Sequence, residues 1–198
     1  DCLLSRGLGD VYKRQSKGRV ALGLGVGESM NTDAYGIPWD NPFQRMTESM
    51  DIMKLLWSTK DSVNYDGEFF KLKDASLLLN LYEDKKTLPF YFATHTDKGL
   101  DLIGRAGDGW MPLDLTPNLY NEYLSKIEVS AKNSGRNLNQ IDTTIWIFTS
   151  LGSNEDEAYK SLEPFRYVCI MQEQLKKAGY DIDIPEEYKG LNYFNITP

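Results

Sequence analysis

The residues best placed to do chemistry fall in two short stretches. The first is Gly23-Leu24-Gly25-Val26-Gly27-Glu28-Ser29-Met30-Asn31, which begins within the apolar run Val20 to Leu24. Such a run reads as a short buried strand ended by glycines. Glycines at a strand end let the backbone approach a flat ligand closely. A carboxylate beside them, Glu28, suits proton donation if partial burial raises its pKa. The competing reading makes Glu28 a loop cap or the partner of a nearby arginine. A dinucleotide-binding turn is disfavoured, because the G-x-G-x-x-G spacing needs a glycine where Glu28 stands and no helical pattern opens directly after it.

The second stretch is Ala93-Thr94-His95-Thr96, between a strand and a helix expected from about Lys98. Free N–H groups at a helix start, backed by the helix dipole, favour an anion. Thr94 and Thr96 add hydroxyl donors, Lys98 adds charge, and Asp97 is read as a cap for the helix. The bland alternative is a simple N-cap with an incidental histidine. His95 is the single histidine of the chain and is assigned a binding or structural role. Trp39, in Gly36-Ile37-Pro38-Trp39, lines the substrate mouth or serves as a packing anchor.

The elements that must position these residues alternate in type. Glu28 to Asn41 is polar and broken by Gly36 and Pro38, and reads as a long loop. Phe43, Met46, Met50, Met53 and Trp57 recur at helical steps and predict a helix whose methionine stripe is core. Ser62 to Leu72 predicts a hairpin turning at Asp66-Gly67. Leu88 to Ala93 and Gly109 to Leu113 read as strands, with a helix over 98–106 between them. Thr116 and Pro117 open a helix presenting Tyr120, Tyr123, Leu124, Ile127 and Ala131 inward, and Gly135 stops it. Thr143 to Leu151 is β-branched and predicts a buried strand. Asn154 with Glu157 then opens a helix that breaks at Pro164 and resumes to Gly179. Residues 180–198 read as an insertion loop. Buried strands alternating with amphipathic helices predict parallel β/α units. Four core strands are too few to close an eight-stranded barrel of about 250 residues, so the fold is an open sheet or the chain is a section of a barrel.

Composition narrows the partners. The chain has 198 residues, a net charge of −7 and a pI near 4.8, against a nucleic-acid or anionic-membrane surface. No apolar stretch approaches the roughly 20 residues that cross a bilayer. Two cysteines, Cys2 and Cys169, exclude a disulfide framework and a cysteine metal site, so cytoplasm is the expected compartment and no metal is expected. Asp1 to Gln15 has no periodicity and resembles translated sequencing adapter, which implies a non-native segment 1–15 followed by one domain over 16–198.

The ordered landmarks resemble one family. They are Gly18 to Glu28, Arg45 with Glu48, Leu56-Trp57, Val63 to Phe70, Leu88 to Ala93, and Gly104-Arg105-Ala106-Gly107-Asp108-Gly109-Trp110. Together they are similar to the bacterial luciferase-like superfamily. They lie nearest its deazaflavin-dependent oxidoreductases such as methylenetetrahydromethanopterin reductase. The resemblance implies a partial (β/α)8 TIM barrel, truncated at both its N- and C-terminal ends, in which a flavin-type ring is held at the strand ends. It implies cofactor contacts from Gly25, Gly27, Asn31, Ala93, Thr94, His95 and Thr96, and Glu28 near the reacting centre. The implied cofactor is coenzyme F420, with FMN as the alternative. The expected reaction is hydride transfer to or from a small organic substrate, one-carbon pterins included. The alternatives are an FMN-dependent monooxygenase and a non-catalytic binding barrel. The resemblance also implies a homodimer for the full-length protein. Relatives usually have glycines at the phosphate site, where this chain has His95 and Thr96. Met111 to Thr116 lacks the basic residues that would grip a sugar phosphate.

Overall fold

Strands β1 (Leu22–Leu24), β4 (Phe90–Phe92), β5 (Gly109–Trp110) and β6 (Asp142–Thr143) form one parallel sheet in the order β1-β4-β5-β6. Strands β2 (Val63–Asp66) and β3 (Lys71–Ala75) form a separate antiparallel hairpin. Among the described residues the longer helices are α1 (Pro42–Ser58), α2 (Asp97–Ala106), α3 (Pro117–Asn133) and α4 (Glu155–Leu162). The computed structural model describes residues 16–17, 19–27, 32–77, 88–113 and 115–162, with single positions at 176, 179–181, 183 and 186. Residues 1–15, Glu28, Asn31 and the helix expected beyond Pro164 therefore lie outside, or almost wholly outside, the described residues.

Side chains alternate across a strand, so register decides which residues share a face. One row runs Leu24, Phe92, Trp110, Thr143, and the row before it runs Gly23, Tyr91, Gly109, Asp142. Phe90, Phe92 and Trp110 are fully buried in a core with Leu100, Ile103, Tyr123, Ile127 and Ala131 of α2 and α3. Each fully buried large apolar side chain contributes roughly 1.5–3 kcal/mol before its lost entropy is counted. The methionine stripe of α1 joins this core, and Trp57 stacks on Phe90 at 5.5 Å between ring centroids. Tyr91 lies in the other row. Its ring crosses Gly109, and its hydroxyl donates to Asp142 Oδ2 at 2.6 Å. A Cβ on Gly109 would fall within 2.6 Å of three Tyr91 ring atoms, so only glycine leaves this path open.

Local signals place the helix ends. Thr116 Oγ1 accepts from the Leu119 N–H at 3.4 Å, with Pro117 at the first helical position. Gly135 follows α3 with φ 70°, and Asn154 Oδ1 accepts from the Glu157 N–H at 3.0 Å. Arg136 donates to the carbonyls of Gly104 (2.9 Å) and Gly107 (2.7 Å), closing the end of α2.

Four expectations need correction. The hairpin does not turn at Asp66-Gly67, because Asp66 pairs with Lys71 and a four-residue tip, Gly67 to Phe70, joins the strands. Buried Glu48 holds that tip, accepting from the N–H groups of Glu68 (2.9 Å), Phe69 (3.0 Å) and Phe70 (3.1 Å). Burial pushes the Glu48 carboxyl up, but the three backbone donors and the Gln44 amide outweigh it, and its pKa is lowered. Asp97 does not cap α2; Thr96 does. The polar stretch before α1 is not all loop, since Asp33–Tyr35 makes a 3-10 turn. Finally, Thr143 to Leu151 is not a buried strand. Only Asp142–Thr143 joins the sheet, with one further bridge from Trp146 to Leu113, and Trp146 and Ile147 stand 60% and 58% exposed. A β-branched run is buried only when both faces are covered. Among the described residues, β5 and its continuation are the only strand pairing with this run.

Candidate functional site

The four parallel strands point their C-terminal ends the same way, and the segments that follow β1 and β4 meet there. The Ala93 N–H donates to the Leu24 carbonyl at 3.1 Å, which brings Ala93 beside Gly25. A Cβ built on Gly25 would meet nothing nearer than the Ala93 carbonyl at 4.0 Å. Packing within the described residues thus places no demand for glycine at Gly25. Gly27 is different, since its φ of 76° lies in the left-handed region that favours glycine. A Cβ there would sit 3.5 Å from the Trp39 ring, so the loop before α1 folds back to place Trp39 against Gly27. Trp39 is part-exposed, an indole face at the edge of an open backbone surface.

The segment after β4 is held from below. Trp110, fully buried, donates its Nε1–H to the Thr94 carbonyl at 3.1 Å. A buried indole N–H needs such a partner. The Thr94 side chain packs where a Cβ of Gly99 would stand, leaving space only for glycine. Thr96 Oγ1 accepts from the Gly99 N–H at 3.2 Å, and Thr94 Oγ1 accepts from the Thr96 N–H at 3.3 Å. The two hydroxyls lie 3.2 Å apart, so one proton is spent between them and one can point outward. His95 is half-buried and stacks on Tyr123 at 6.2 Å. Lys126 reaches Asp97 at 3.0 Å; that hydrogen bond, opposed by partial burial, raises the lysine pKa. The pair sets a counter-charge against the acid in the first turn of α2, which would otherwise oppose an anion at the helix start.

The structure therefore gathers Gly25 with Ala93, Gly27 with Trp39, and Thr94 with His95 and Thr96, along one end of the sheet. Glu28 and Asn31 lie outside the described residues. Sequence reasoning missed the supports of this site: Trp110 beneath Thr94, Gly99 behind it, and the Tyr91–Asp142 bond on the sheet. A tryptophan directly after the Asp108-Gly109 pair was the one sequence signal that pointed to them.

A parallel β/α sheet with its open backbone surface at the strand ends is the architecture of an enzyme-type barrel section. The family model described as luciferase-like monooxygenase matches residues 13–190, and the chain belongs to that family. A phthiodiolone/phenolphthiodiolone dimycocerosates ketoreductase of Mycobacterium sp. (strain JLS) is 31% identical over 150 residues, 75% of this chain and 39% of that protein. A 5,10-methylenetetrahydromethanopterin reductase of Archaeoglobus fulgidus is 29% identical over 143 residues, 72% of this chain and 42% of that protein. Among solved structures, an F420-dependent secondary alcohol dehydrogenase in complex with an F420-acetone adduct superposes with a TM-score of 0.72 at 26% identity, covering 93% of this chain and 55% of that one. The coenzyme F420-dependent tetrahydromethanopterin reductase of Methanopyrus kandleri gives a TM-score of 0.74 at 22% identity, covering 90% of this chain and 56% of that chain. The chain thus spans about two fifths of the length of these curated relatives and a little over half of the solved chains. Its fold is a section of the luciferase-like (β/α)8 barrel. Among the described residues, no helix is long and apolar enough to cross a membrane.

Proposed function

We propose that the protein containing this chain is an oxidoreductase that moves a hydride between coenzyme F420 and a small organic substrate. The observation that carries the reading is the bare backbone at Gly25, which the described residues leave uncrowded and which a planar ring can cover. Gly25, Gly27 and Ala93 would lie under such a ring, Trp39 at its edge, and the Thr94–Thr96 segment at its phosphate. The cofactor supplies the hydride chemistry; the chain orients it and excludes water. Glu28, one residue past Gly27, is the group assigned to proton handling in this reading. The matched relatives are named as a ketoreductase, a methylene reductase and an alcohol dehydrogenase, which favours redox at carbon. A second reading, an FMN-dependent monooxygenase, draws on the description of the family itself.

The test is titration of the purified protein with F420 and, separately, with FMN. Gly25→Leu should weaken F420 binding at least about tenfold, equivalent to about 1.4 kcal/mol, with the thermal transition unmoved. Unchanged affinity would remove Gly25 from the cofactor face, and tight binding of FMN alone would select the second reading.

A further inference from the structure

We propose that Arg45 is a positioning residue that holds Trp39 over Gly27 and ties the mouth loop to the tip of the β2–β3 hairpin. The proposal rests on reading Gly25 to Gly27 as a ligand face. Three contacts build it. The Arg45 guanidinium grips Asp40, the residue after Trp39, through Nη2 to both carboxylate oxygens (2.8 and 2.9 Å) and through Nε to the Asp40 carbonyl (3.1 Å). The same guanidinium lies 4.2 Å over the Phe69 ring. Phe69 is itself fixed, its N–H donating to buried Glu48.

The grip falls beside a left-handed bend in the chain. Asn41, between Asp40 and α1, has φ 45° and ψ 51°, a left-handed conformation that few residues besides glycine and asparagine adopt readily. Holding the Asp40 carbonyl and carboxylate together sets the direction in which the chain leaves that bend, and so where Trp39 lands. An exposed ion pair alone does little for stability, and Arg45 and Asp40 are 34% and 54% exposed. The worth of the contact is directional. It needs the planar fork of arginine, which can bind a carboxylate and a carbonyl while stacking on a ring. The arrangement also gives Arg45, Glu48 and the hairpin tip one shared purpose: each is a link between the hairpin and the mouth.

Trp39 emission, taken as the difference between each protein and its Trp39→Phe counterpart, is quenched with acrylamide in the absence of cofactor. Arg45→Met, Arg45→Lys and Asp40→Asn should all raise quenching toward that of an exposed indole. Asp40→Asn leaves α1 intact, so it decides the matter even where Arg45→Met folds poorly. In an F420 titration, Arg45→Met should weaken binding about tenfold and add no further loss in a Trp39→Ala background. Unchanged quenching in Asp40→Asn, wild-type behaviour of Arg45→Lys, or an undiminished Arg45→Met loss without Trp39 would each overturn the role. A wild-type protein that binds neither F420 nor FMN would sink the functional reading, while the quenching measurement would still decide the Arg45 contact.

Discussion

Two glycines separated by one strand of the sheet answer to different masters. Gly109 is surrounded: the Tyr91 ring fills the space a side chain would need on its way to Asp142. Among the described residues Gly25 is open, since an added Cβ would meet only the Ala93 carbonyl, at 4.0 Å. Both belong to glycine-rich runs that look alike in sequence. The first glycine is needed by the fold; the second has no such need among the described residues, and the proposed cofactor face is what would require it.

Substitutions can break or sharpen that contrast. The largest stability loss belongs to Gly109→Val, which forces Tyr91 off its path; overpacking of this kind costs about 3 kcal/mol, read as a fall in the urea midpoint. Gly25→Leu should leave that midpoint in place and lose F420 binding instead. Were the two substitutions to behave alike in both measurements, the distinction would be gone.

Glu48→Gln comes next. It should lower the melting temperature at pH 7 by roughly 5–10 °C, because a neutral amide replaces a carboxylate that accepts three backbone hydrogen bonds. The folded-state pKa of Glu48 is depressed, so its contribution is present above the ordinary value of 4.5 and lost as pH falls through the lower folded value. The gap between wild type and variant should therefore close in acid, and a gap that persists at the lowest pH where the protein folds would assign the effect to packing.

Tyr91→Phe is expected to be the smallest, about 0.5–1 kcal/mol for one partly exposed hydrogen bond. The bond to Asp142, with some burial, raises the Tyr91 pKa from 10.0 to about 12. That contribution is whole below pH 10 and disappears as pH rises through 12, so wild type should converge on the variant in that window. Denaturant titrations at pH 9 and pH 11.5 check it.

Much of the fold was legible in the sequence because its signals are local. Thr116-Pro117, Gly135, Asn154 with Glu157 and the α1 stripe act within one or two helical turns. The glycine run and the Ala93 to Thr96 segment were legible as site candidates for the same reason: each sits at a strand end marked by its own neighbours. What was missed depends on distance along the chain. Glu48 reaches residues 20 to 22 positions away, and Tyr91 meets Asp142 across 51. No periodicity reports such pairs. Thr143 to Leu151 failed differently, since β-branched apolar composition states a preference for burial without supplying the layer that covers it.

From the order of its residues alone, this protein's family, the alternation of parallel strands with helices and the caps at Thr116 and Asn154 were determined, since backbone preference and hydrophobic period operate over a few residues. Tertiary structure alone decided which glycines are crowded and which lie open, that Asp40 is the residue Arg45 grips, and where Trp39 rests. Those are matters of which side chains share a volume, and that is settled only when distant segments pack together.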